Sequence, residues 1–353
     1  MIRTLVVDDS AFMRRAIRRM LEADPQITVV GCASGGREGL ELVERERPDV
    51  VTLDVEMPDI DGLTVLRRIM AERPTPVLML SSLTTRGSHT ALQALKLGAA
   101  DVLAKDASYV SLSIGEIEAE LRARVKAIAR QRGTDAVVPK PASTDREMPR
   151  LRATGLDAVV IGSSTGGPPV LERLIHALPA GFRVPVVVAQ HMPAVFTKSL
   201  AERLDGICAV RVMHAEDGMA LERGTVYIAP GGLLTGIRKR GVARWVMSVR
   251  EDDGSHLYKP SVDYLFASAA EAMRRRVLGI VLTGMGEDGR IGAGALREQG
   301  GAILSQESAS CVVYGMPRAV DKAGLSQASG TPDELAAYLS GLDESPGVSA
   351  SAA

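Results

Sequence analysis

The sequence predicts two α/β domains in tandem, each built on a doubly wound parallel sheet. The chain has 353 residues, which suits two domains of roughly 150 residues each better than one. Short apolar runs alternate with segments of helical period in both halves, and this alternation is typical of parallel sheets covered by helices. A polar segment containing several prolines separates the two halves, as expected of a linker.

Residues 1 to about 125 predict a five-stranded sheet. Apolar runs occur at residues 5–7, 28–30, 50–53, 76–80 and 100–103. Amphipathic helical segments lie between them, for example at 11–21, 36–46 and 63–70. In sheets of this kind, the residues that bind or react lie in loops beyond the carboxyl ends of the strands.

The second half repeats the pattern after the linker. Residues 126–153 are predicted to form the linker, whose start could extend the fifth helix. Residues 154–345 form the second predicted domain, with strand-like runs near 156–162, 184–189, 225–229, 244–249, 277–282 and 302–304. Residues 346–353 are predicted to form a disordered tail.

Composition excludes several classes of protein. The net charge is −1, which gives no reason to expect attraction to nucleic acid or membranes, and no basic helix-turn-helix segment follows the first domain. Aromatic residues make up 3% of the chain, so the cores must be aliphatic. The three cysteines are far apart and show no zinc spacing. Neither a signal peptide nor an apolar run of about 20 residues is evident, so we expect a cytoplasmic protein without membrane insertion.

A group of polar side chains lies at the ends of four strands of the first predicted sheet. Asp8 and Asp9 close the first strand, Asp54 closes the third, Ser81 follows the fourth, and Lys105 follows the fifth. Three carboxylates at one sheet edge repel one another unless a cation lies among them, and their oxygens suit Mg²⁺. Such a site would accept a phosphoryl group at Asp54, with Lys105 supplying a second positive charge.

A serine follows the first strand of the second domain. Ser164 is central in the sequence GSSTGG, which fits G-x-S-x-G, a pattern that places a serine on a tight turn between strand and helix. The following helix would direct its N-terminus at the site and favour a developing anion. Phosphate-binding loops are also rich in glycine and serine, but no GK[ST] sequence indicates a nucleotide loop of the Walker type.

A base and an acid for this serine are available at other strand ends. His191 follows the next apolar run, whereas the other four histidines lie in helical or loop contexts. In the sequence LTGMGEDG, both Glu287 and Asp288 could orient the imidazole, and spacing does not separate them. The same stretch spells G-x-G-x-x-G, but no acidic residue ends the next strand as a dinucleotide site would need. The order serine, histidine, acid differs from that of α/β-hydrolases, although the chemistry depends on geometry rather than order.

The first domain resembles the receiver domains of two-component response regulators. The resemblance covers residues 1 to about 125 and rests on VVDDS, LDVEMPDIDG, LSS and AKD. It implies phosphorylation of Asp54 and binding of the phosphoryl oxygens by Ser81 and Lys105. The Mg²⁺ ligands that it implies are Asp8, partly through water, Asp9, Asp54 and the backbone carbonyl of Glu56.

Residues 1 to 340 together resemble the chemotaxis protein-glutamate methylesterases, the CheB family. The motifs that carry the resemblance follow the receiver-like domain along the chain. They are IGSSTGGP, QHMP, YIAPGG, KPSVD, LTGMGEDG and QESASCVVYGMPRA. The resemblance implies a triad of Ser164, His191 and Asp288, and it favours Asp288 over Glu287. It also implies the backbone N–H of Met285 as an oxyanion donor. One departure is the residue before Ser164, which is serine here where alanine is usual.

The resemblance also implies the reaction and its control. The substrates would be glutamyl methyl esters, and glutamines for deamidation, on the cytoplasmic helices of chemoreceptors, with a chemotaxis histidine kinase as phosphodonor. The catalytic domain would need no cofactor, and we expect a monomer. We further expect the unphosphorylated receiver to inhibit the hydrolase. The alternative is a regulator whose output is receptor binding without turnover, which would not require all three triad residues.

Overall fold

The structure, a computed structural model, describes residues 1–82, 84–105, 114–130, 148–149, 151, 153–241 and 244–342. The chain divides into two compact units, Met1–Ala142 and Ser143–Ala353. Most of the predicted linker and the whole predicted tail lie outside the described residues. The fifth helix continues to Arg130, so the start of the predicted linker is helical. The predicted limits of the domains remain predictions.

The first unit has the predicted parallel sheet. Its described strands are β1 (Ile2–Val7), β2 (Ile27–Ala33), β3 (Val50–Asp54), β4 (Val77–Ser81) and β5 (Asp101–Ala104). Its described helices are α1 (Ala11–Glu22), α2 (Gly36–Glu46), α3 (Gly62–Glu72), α4 (Thr85–Lys96) and α5 (Ile114–Arg130). The strand order is β2-β1-β3-β4-β5, and every pair is parallel. The five-stranded doubly wound sheet is therefore confirmed.

The central strands of this sheet form because helices cover both of their faces. Every residue of β3 and β4 is buried, which explains why these strands read as continuous apolar runs rather than as alternating ones. Helix α1 begins after Ser10, whose side chain accepts a hydrogen bond from the Met13 N–H. Such an N-cap typically stabilises a helix by about 1 kcal/mol. The Ser10 cap thus marks the end of the loop between β1 and α1.

The second unit has more elements. Its described strands are β6 (Ala158–Ser163), β7 (Val186–Gln190), β8 (Arg211–His214), β9 (Thr225–Ile228), β10 (Leu234–Arg240), β11 (Arg244–Arg250), β12 (Val277–Val281), β13 (Ala302–Gln306) and β14 (Ala328–Gly330). Its described helices are α6 (Gly167–His176), α7 (Ala194–Ile207), α8 (Val262–Met273), α9 (Arg290–Glu298), α10 (Met316–Lys322) and α11 (Pro332–Gly341).

Seven of the described strands form one parallel sheet in the order β14-β13-β12-β6-β7-β9-β8. From β6 the chain first builds outward through β7 and later returns to build outward through β12 on the other side. The strand order therefore reverses at β6, and the crevice beyond its carboxyl end is where doubly wound sheets bind their ligands. Ser164, His191 and Asp288 follow β6, β7 and β12, the three strands at this reversal.

Three strands of the second unit were not predicted. Strands β8 and β14 lie at the two edges of the sheet, and they are short and partly polar, so they lack an apolar run. Strand β10 carries Gly236 and ends in basic residues, and it pairs antiparallel with β11 outside the parallel sheet. The run predicted near residues 244–249 is thus a strand, but it belongs to this hairpin. Periodicity along the chain contains no signal for that assignment.

The core of the second unit is mostly aliphatic, as the composition predicts, although Phe182, Phe196, Tyr227 and Phe266 are also buried there. Helix α8 contributes several fully buried side chains, among them Leu265, Phe266 and Ala269, which pack against the parallel sheet. None of the helices that the structure describes is both long and apolar enough to cross a lipid bilayer.

Candidate functional site

Ser164 lies on a tight turn between β6 and α6. Strand β6 ends at Ser163, and the helix begins at Gly167. Gly166 has a φ of +76°, and a Cβ added there would lie 2.4 Å from the Cβ of Val312. Only glycine satisfies both requirements without strain. The G-x-S-x-G pattern therefore has the structural setting that it predicts, a strand, a sharp turn and a helix.

Hydrogen bonds join the Ser164 turn to the loops after both neighbouring strands. The Ser164 N–H donates to the Thr283 carbonyl at 3.0 Å, and the His191 N–H donates to the Ser163 carbonyl at 3.0 Å. The Gln190 side-chain amide donates to the Ser164 carbonyl at 2.9 Å. The serine is thus held between the loop that carries the candidate base and the loop that leads to the candidate acid.

His191 and Asp288 form a buried pair. The Nε2 atom of His191 lies 2.8 Å from Oδ2 of Asp288, and the two side chains are 8% and 5% exposed. The carboxylate also accepts bonds from the N–H groups of Val262 at 2.7 Å and Asp263 at 2.9 Å, and from the Ser261 hydroxyl at 3.2 Å. These donors belong to the first turn of α8, where the helix dipole favours a negative charge.

The hydrogen bonds keep Asp288 ionised. Burial raises the pKa of Asp288, but the bonds from His191 and from the Asp263 and Val262 amides outweigh it, so the pKa lies below the ordinary value. Asp263 in turn accepts from the N–H groups of Gly289 and Gly292 at 2.9 and 2.7 Å. Asp288, which precedes α9, therefore binds the N-terminus of α8, and Asp263, which lies in α8, binds the N-terminus of α9. Burial and the charge of Asp288 raise the pKa of Asp263.

The structure separates the two acids that spacing left open. The Glu287 side chain is 70% exposed and pairs with Arg290 at 3.2 Å. Asp288 reaches the imidazole instead, because its neighbours in α8 hold it inward. The acid favoured by the family resemblance is therefore the one that contacts His191.

The imidazole orientation leaves one nitrogen available. An ionised carboxylate can only accept a hydrogen bond, so the Nε2 atom that faces Asp288 carries the proton in the neutral ring. This assignment is made from the hydrogen-bond partner. The Nδ1 atom is buried and has no hydrogen-bond partner among the described residues. The Ser164 hydroxyl therefore does not bond to the imidazole in this state. Serine–histidine bonds in resting sites are often long and form only with substrate.

Ser163, the residue that departs from the family pattern, has a structural role. Its hydroxyl is fully buried and donates to Oε1 of Gln190 at 2.6 Å. Because Ser163 faces the interior and its proton is committed to Gln190, it is not a second nucleophile. Gln190, whose amide binds both Ser163 and Ser164, was not among the predicted site residues.

The loop after β12 approaches the Ser164 turn closely. A Cβ added to Gly284 would lie 2.8 Å from the Ser164 Cβ, so only glycine fits there. Met285 follows, and its amide N–H donates to no acceptor within the described part of the chain. An uncommitted N–H next to the serine is what an oxyanion donor requires.

Two motif tyrosines contact the interior of the fold. The Tyr227 hydroxyl donates to the Ala220 carbonyl at 2.7 Å and accepts from the Glu222 N–H at 2.9 Å. The Tyr314 hydroxyl donates to Asp321 at 2.5 Å. Both hydroxyls thus shape their loops.

The acidic group of the first unit assembles as predicted from the strand ends. Carboxylate oxygens of Asp8, Asp9 and Asp54 all lie within 4.8 Å of one another. The Lys105 ammonium lies 2.9 Å from Asp8 and 2.5 Å from Asp54. Three carboxylates and one ammonium leave an excess of negative charge, which a divalent cation bound by oxygen atoms would balance.

Burial acts on the charges of this group. Burial and the charge of Asp8 raise the pKa of Asp54 above its ordinary value, although the hydrogen bond and charge of Lys105 lower it. Burial also lowers the pKa of Lys105, but the bonds to Asp54 and Asp8 outweigh it, and the net shift is upward. The ammonium therefore stays charged, and a bound cation would favour the ionised form of Asp54.

Two further predicted residues lie near this group without joining it. The Ser81 hydroxyl is buried and donates to the Gly87 carbonyl at 3.1 Å. The Glu56 side chain is exposed, and its N–H donates to Asp54 at 3.2 Å. Ser81 is the last residue of β4, and Glu56 follows the end of β3, the strand that Asp54 closes.

Comparison with known proteins agrees with this geometry. Residues 159–339 match the CheB methylesterase family, and residues 4–113 match the response regulator receiver domain. A protein-glutamate methylesterase/protein-glutamine glutaminase 1 of Oleidesulfovibrio alaskensis is 48% identical, and the match covers 95% of this chain and 98% of that protein. A similarly named protein of Nitratidesulfovibrio vulgaris is 46% identical over 96% of this chain and 98% of its own.

A solved structure gives the same result for the second unit. The crystal structure of the Thermotoga maritima CheB methylesterase catalytic domain is 38% identical, with a TM-score of 0.51. It covers 53% of this chain and 98% of its own. The chain therefore belongs to the CheB family, in which a receiver domain precedes a methylesterase domain.

Proposed function

We propose that the second unit hydrolyses glutamyl methyl esters through Ser164, His191 and Asp288. The observation that supports this most is the buried 2.8 Å bond between Nε2 of His191 and Asp288. That bond leaves Nδ1, which is buried and has no partner among the described residues, as the basic nitrogen of a residue whose N–H bonds to the Ser164 turn. The names of the relatives, protein-glutamate methylesterase and protein-glutamine glutaminase, agree with this chemistry.

The reaction is acyl transfer to water. Nδ1 of His191 takes the proton of the Ser164 hydroxyl as its oxygen attacks the ester carbonyl. The tetrahedral oxyanion accepts a hydrogen bond from the Met285 N–H, and the protonated imidazole then gives its proton to departing methanol. Water attacks the acyl-serine by the same route and releases a glutamate side chain. Asp288 stays ionised throughout and stabilises the imidazolium through Nε2.

The substrates are side chains on chemoreceptors. A glutamine amide carbonyl has the same shape as the ester carbonyl, so the same site would release ammonia from glutamine. The test is release of methanol from methylated receptor and of ammonia from receptor glutamines by the full chain. Absence of both products with a folded, phosphorylated protein would contradict the proposed reaction.

The first unit is the proposed control element, phosphorylated at Asp54 by a chemotaxis histidine kinase. Asp8, Asp9, Asp54 and the Glu56 carbonyl would hold Mg²⁺, whose charge would offset that of an incoming phosphoryl group. Lys105 would bind a phosphoryl oxygen from its present position. Ser81 would bind another after giving up its bond to the Gly87 carbonyl.

Asp54→Asn is expected to abolish phosphorylation, because the amide lacks the nucleophilic carboxylate oxygen. Incubation with a small acyl phosphate and Mg²⁺ should add one phosphoryl group to the wild type, as seen by mass spectrometry. Omission of Mg²⁺ should prevent the addition. Asp59→Asn is the matched control, since Asp59 lies in the same loop but binds the amides of Gly36 and Arg37. A phosphoryl group on the Asp54→Asn protein would refute the assignment.

Removal of residues 1–140 is expected to raise the rate of methanol release if the unphosphorylated receiver inhibits the hydrolase. A tenfold rise would correspond to about 1.4 kcal/mol of inhibition, and a full switch would need about 5.5 kcal/mol. The measurement compares this fragment with the unphosphorylated and phosphorylated full chain. A folded fragment no faster than the unphosphorylated full chain would argue against inhibition.

A further inference from the structure

Tyr258 lies flat against the imidazole of His191. The two ring centroids are 4.4 Å apart, and the ring planes differ by 9°. The Tyr258 hydroxyl lies above Gly286, where an added Cβ would be 2.9 Å from it. Tyr258 therefore contacts the base and also covers the loop that carries Met285.

The segment that follows Tyr258 supports the acid. Within it, the Ser261 hydroxyl and the amides of Val262 and Asp263 all bind Asp288. One short stretch of chain thus contacts both the base and the acid, and Tyr258 is the part of it that reaches the imidazole.

The imidazole needs this second contact because one hydrogen bond does not fix a ring. The torsion that turns a histidine ring is broad and roughly two-fold, and Nδ1 has no partner among the described residues. A half-turn of the ring would break the bond between Nε2 and Asp288, and this bond therefore prevents the half-turn. Smaller tilts would keep much of the bond but would break the parallel contact with Tyr258. The two contacts therefore restrict different motions.

We propose that Tyr258 is a positioning residue for the base, and that its ring holds the plane of His191 so that Nδ1 faces the Ser164 oxygen. The aromatic plane is the part that acts on the imidazole. The contact also favours the protonated imidazole that forms during the reaction, because aromatic faces attract cations. The inference rests on the proposed esterase chemistry.

The test compares Tyr258→Phe with Tyr258→Leu in the full-length, phosphorylated protein. Phenylalanine keeps the plane and should leave kcat within about twofold of the wild type, whereas leucine should lower kcat by about tenfold. KM for the methylated receptor should stay unchanged in both. Tyr264→Leu is the matched control, since Tyr264 lies edge-on to His256 rather than against the triad, and it should leave kcat unchanged. Tyr258→Met replaces the leucine variant if that protein does not fold.

A second measurement needs no substrate and separates this inference from the proposed function. In nuclear magnetic resonance spectra, the His191 Nε2–H that bonds to Asp288 should be sharp in the wild type and the phenylalanine variant and broadened in the leucine variant. An esterase-inactive wild type with this pattern would refute the reaction but keep the positioning role. Three results would overturn the inference. They are equal losses of kcat in the phenylalanine and leucine variants, an unchanged kcat in the leucine variant, and a rise in KM without a change in kcat.

Discussion

Ser164→Ala is expected to lower the rate of methanol release by about 10⁴-fold or more, because the change removes the hydroxyl proposed to form the acyl intermediate. Binding of the methylated receptor should remain, since the loss of one hydroxyl leaves the loops around it unchanged. The remaining rate would reflect binding and oxyanion stabilisation alone. The measurement is methanol release under single-turnover conditions, beside a separate measurement of receptor affinity.

Ser163→Ala is the matched control for this prediction. It removes the same atom from the adjacent residue, but the lost bond is the buried one to Gln190. We expect kcat within about twofold of the wild type and a free energy of unfolding lower by about 1–2 kcal/mol, because a buried acceptor loses its donor. If Ser163→Ala abolished turnover while Ser164→Ala spared it, the nucleophile would be wrongly assigned.

The strand ends explain why much of the site was predictable from sequence. Parallel strands place their carboxyl ends along one edge of a sheet, so an apolar run followed by a polar residue locates that residue in space. This rule predicted that Asp8, Asp54 and Lys105 would meet, and the structure brings them together. It also predicted that His191 would lie beside the Ser164 turn.

The rest depends on contacts that no local pattern encodes. Tyr258 follows the antiparallel hairpin and belongs to no strand of the main sheet, so the strand-end rule does not apply to it. Spacing did not distinguish Glu287 from Asp288, because the choice is made by amides of α8 that bind Asp288. The same is true of the imidazole orientation, which depends on where Asp288 lies.

That orientation makes Asp288→Asn the second change with a large expected effect. An asparagine can donate its amide hydrogen to Nε2 of His191, which would move the imidazole proton to Nδ1. Nδ1 would then face Ser164 with a hydrogen instead of a lone pair and could not act as a base. A change of tautomer of this kind lowers kcat by about 10⁴-fold. In this orientation the asparagine oxygen still accepts from the Asp263 N–H and the Ser261 hydroxyl, whereas the Val262 N–H, which donates to the atom beside His191, loses its acceptor. The free energy of unfolding should therefore fall by about 1–3 kcal/mol.

The measurement is kcat for methanol release by the Asp288→Asn protein, with its thermal unfolding recorded beside that of the wild type. Glu287→Gln is the matched control, because it makes the same chemical change at the adjacent exposed acid and should leave kcat nearly unchanged. Nitrogen spectra of the imidazole should place the proton on Nε2 in the wild type and on Nδ1 in the Asp288→Asn protein. A variant with unaltered kcat, or one that is inactive with the proton still on Nε2, would show that Asp288 does not act by setting the tautomer.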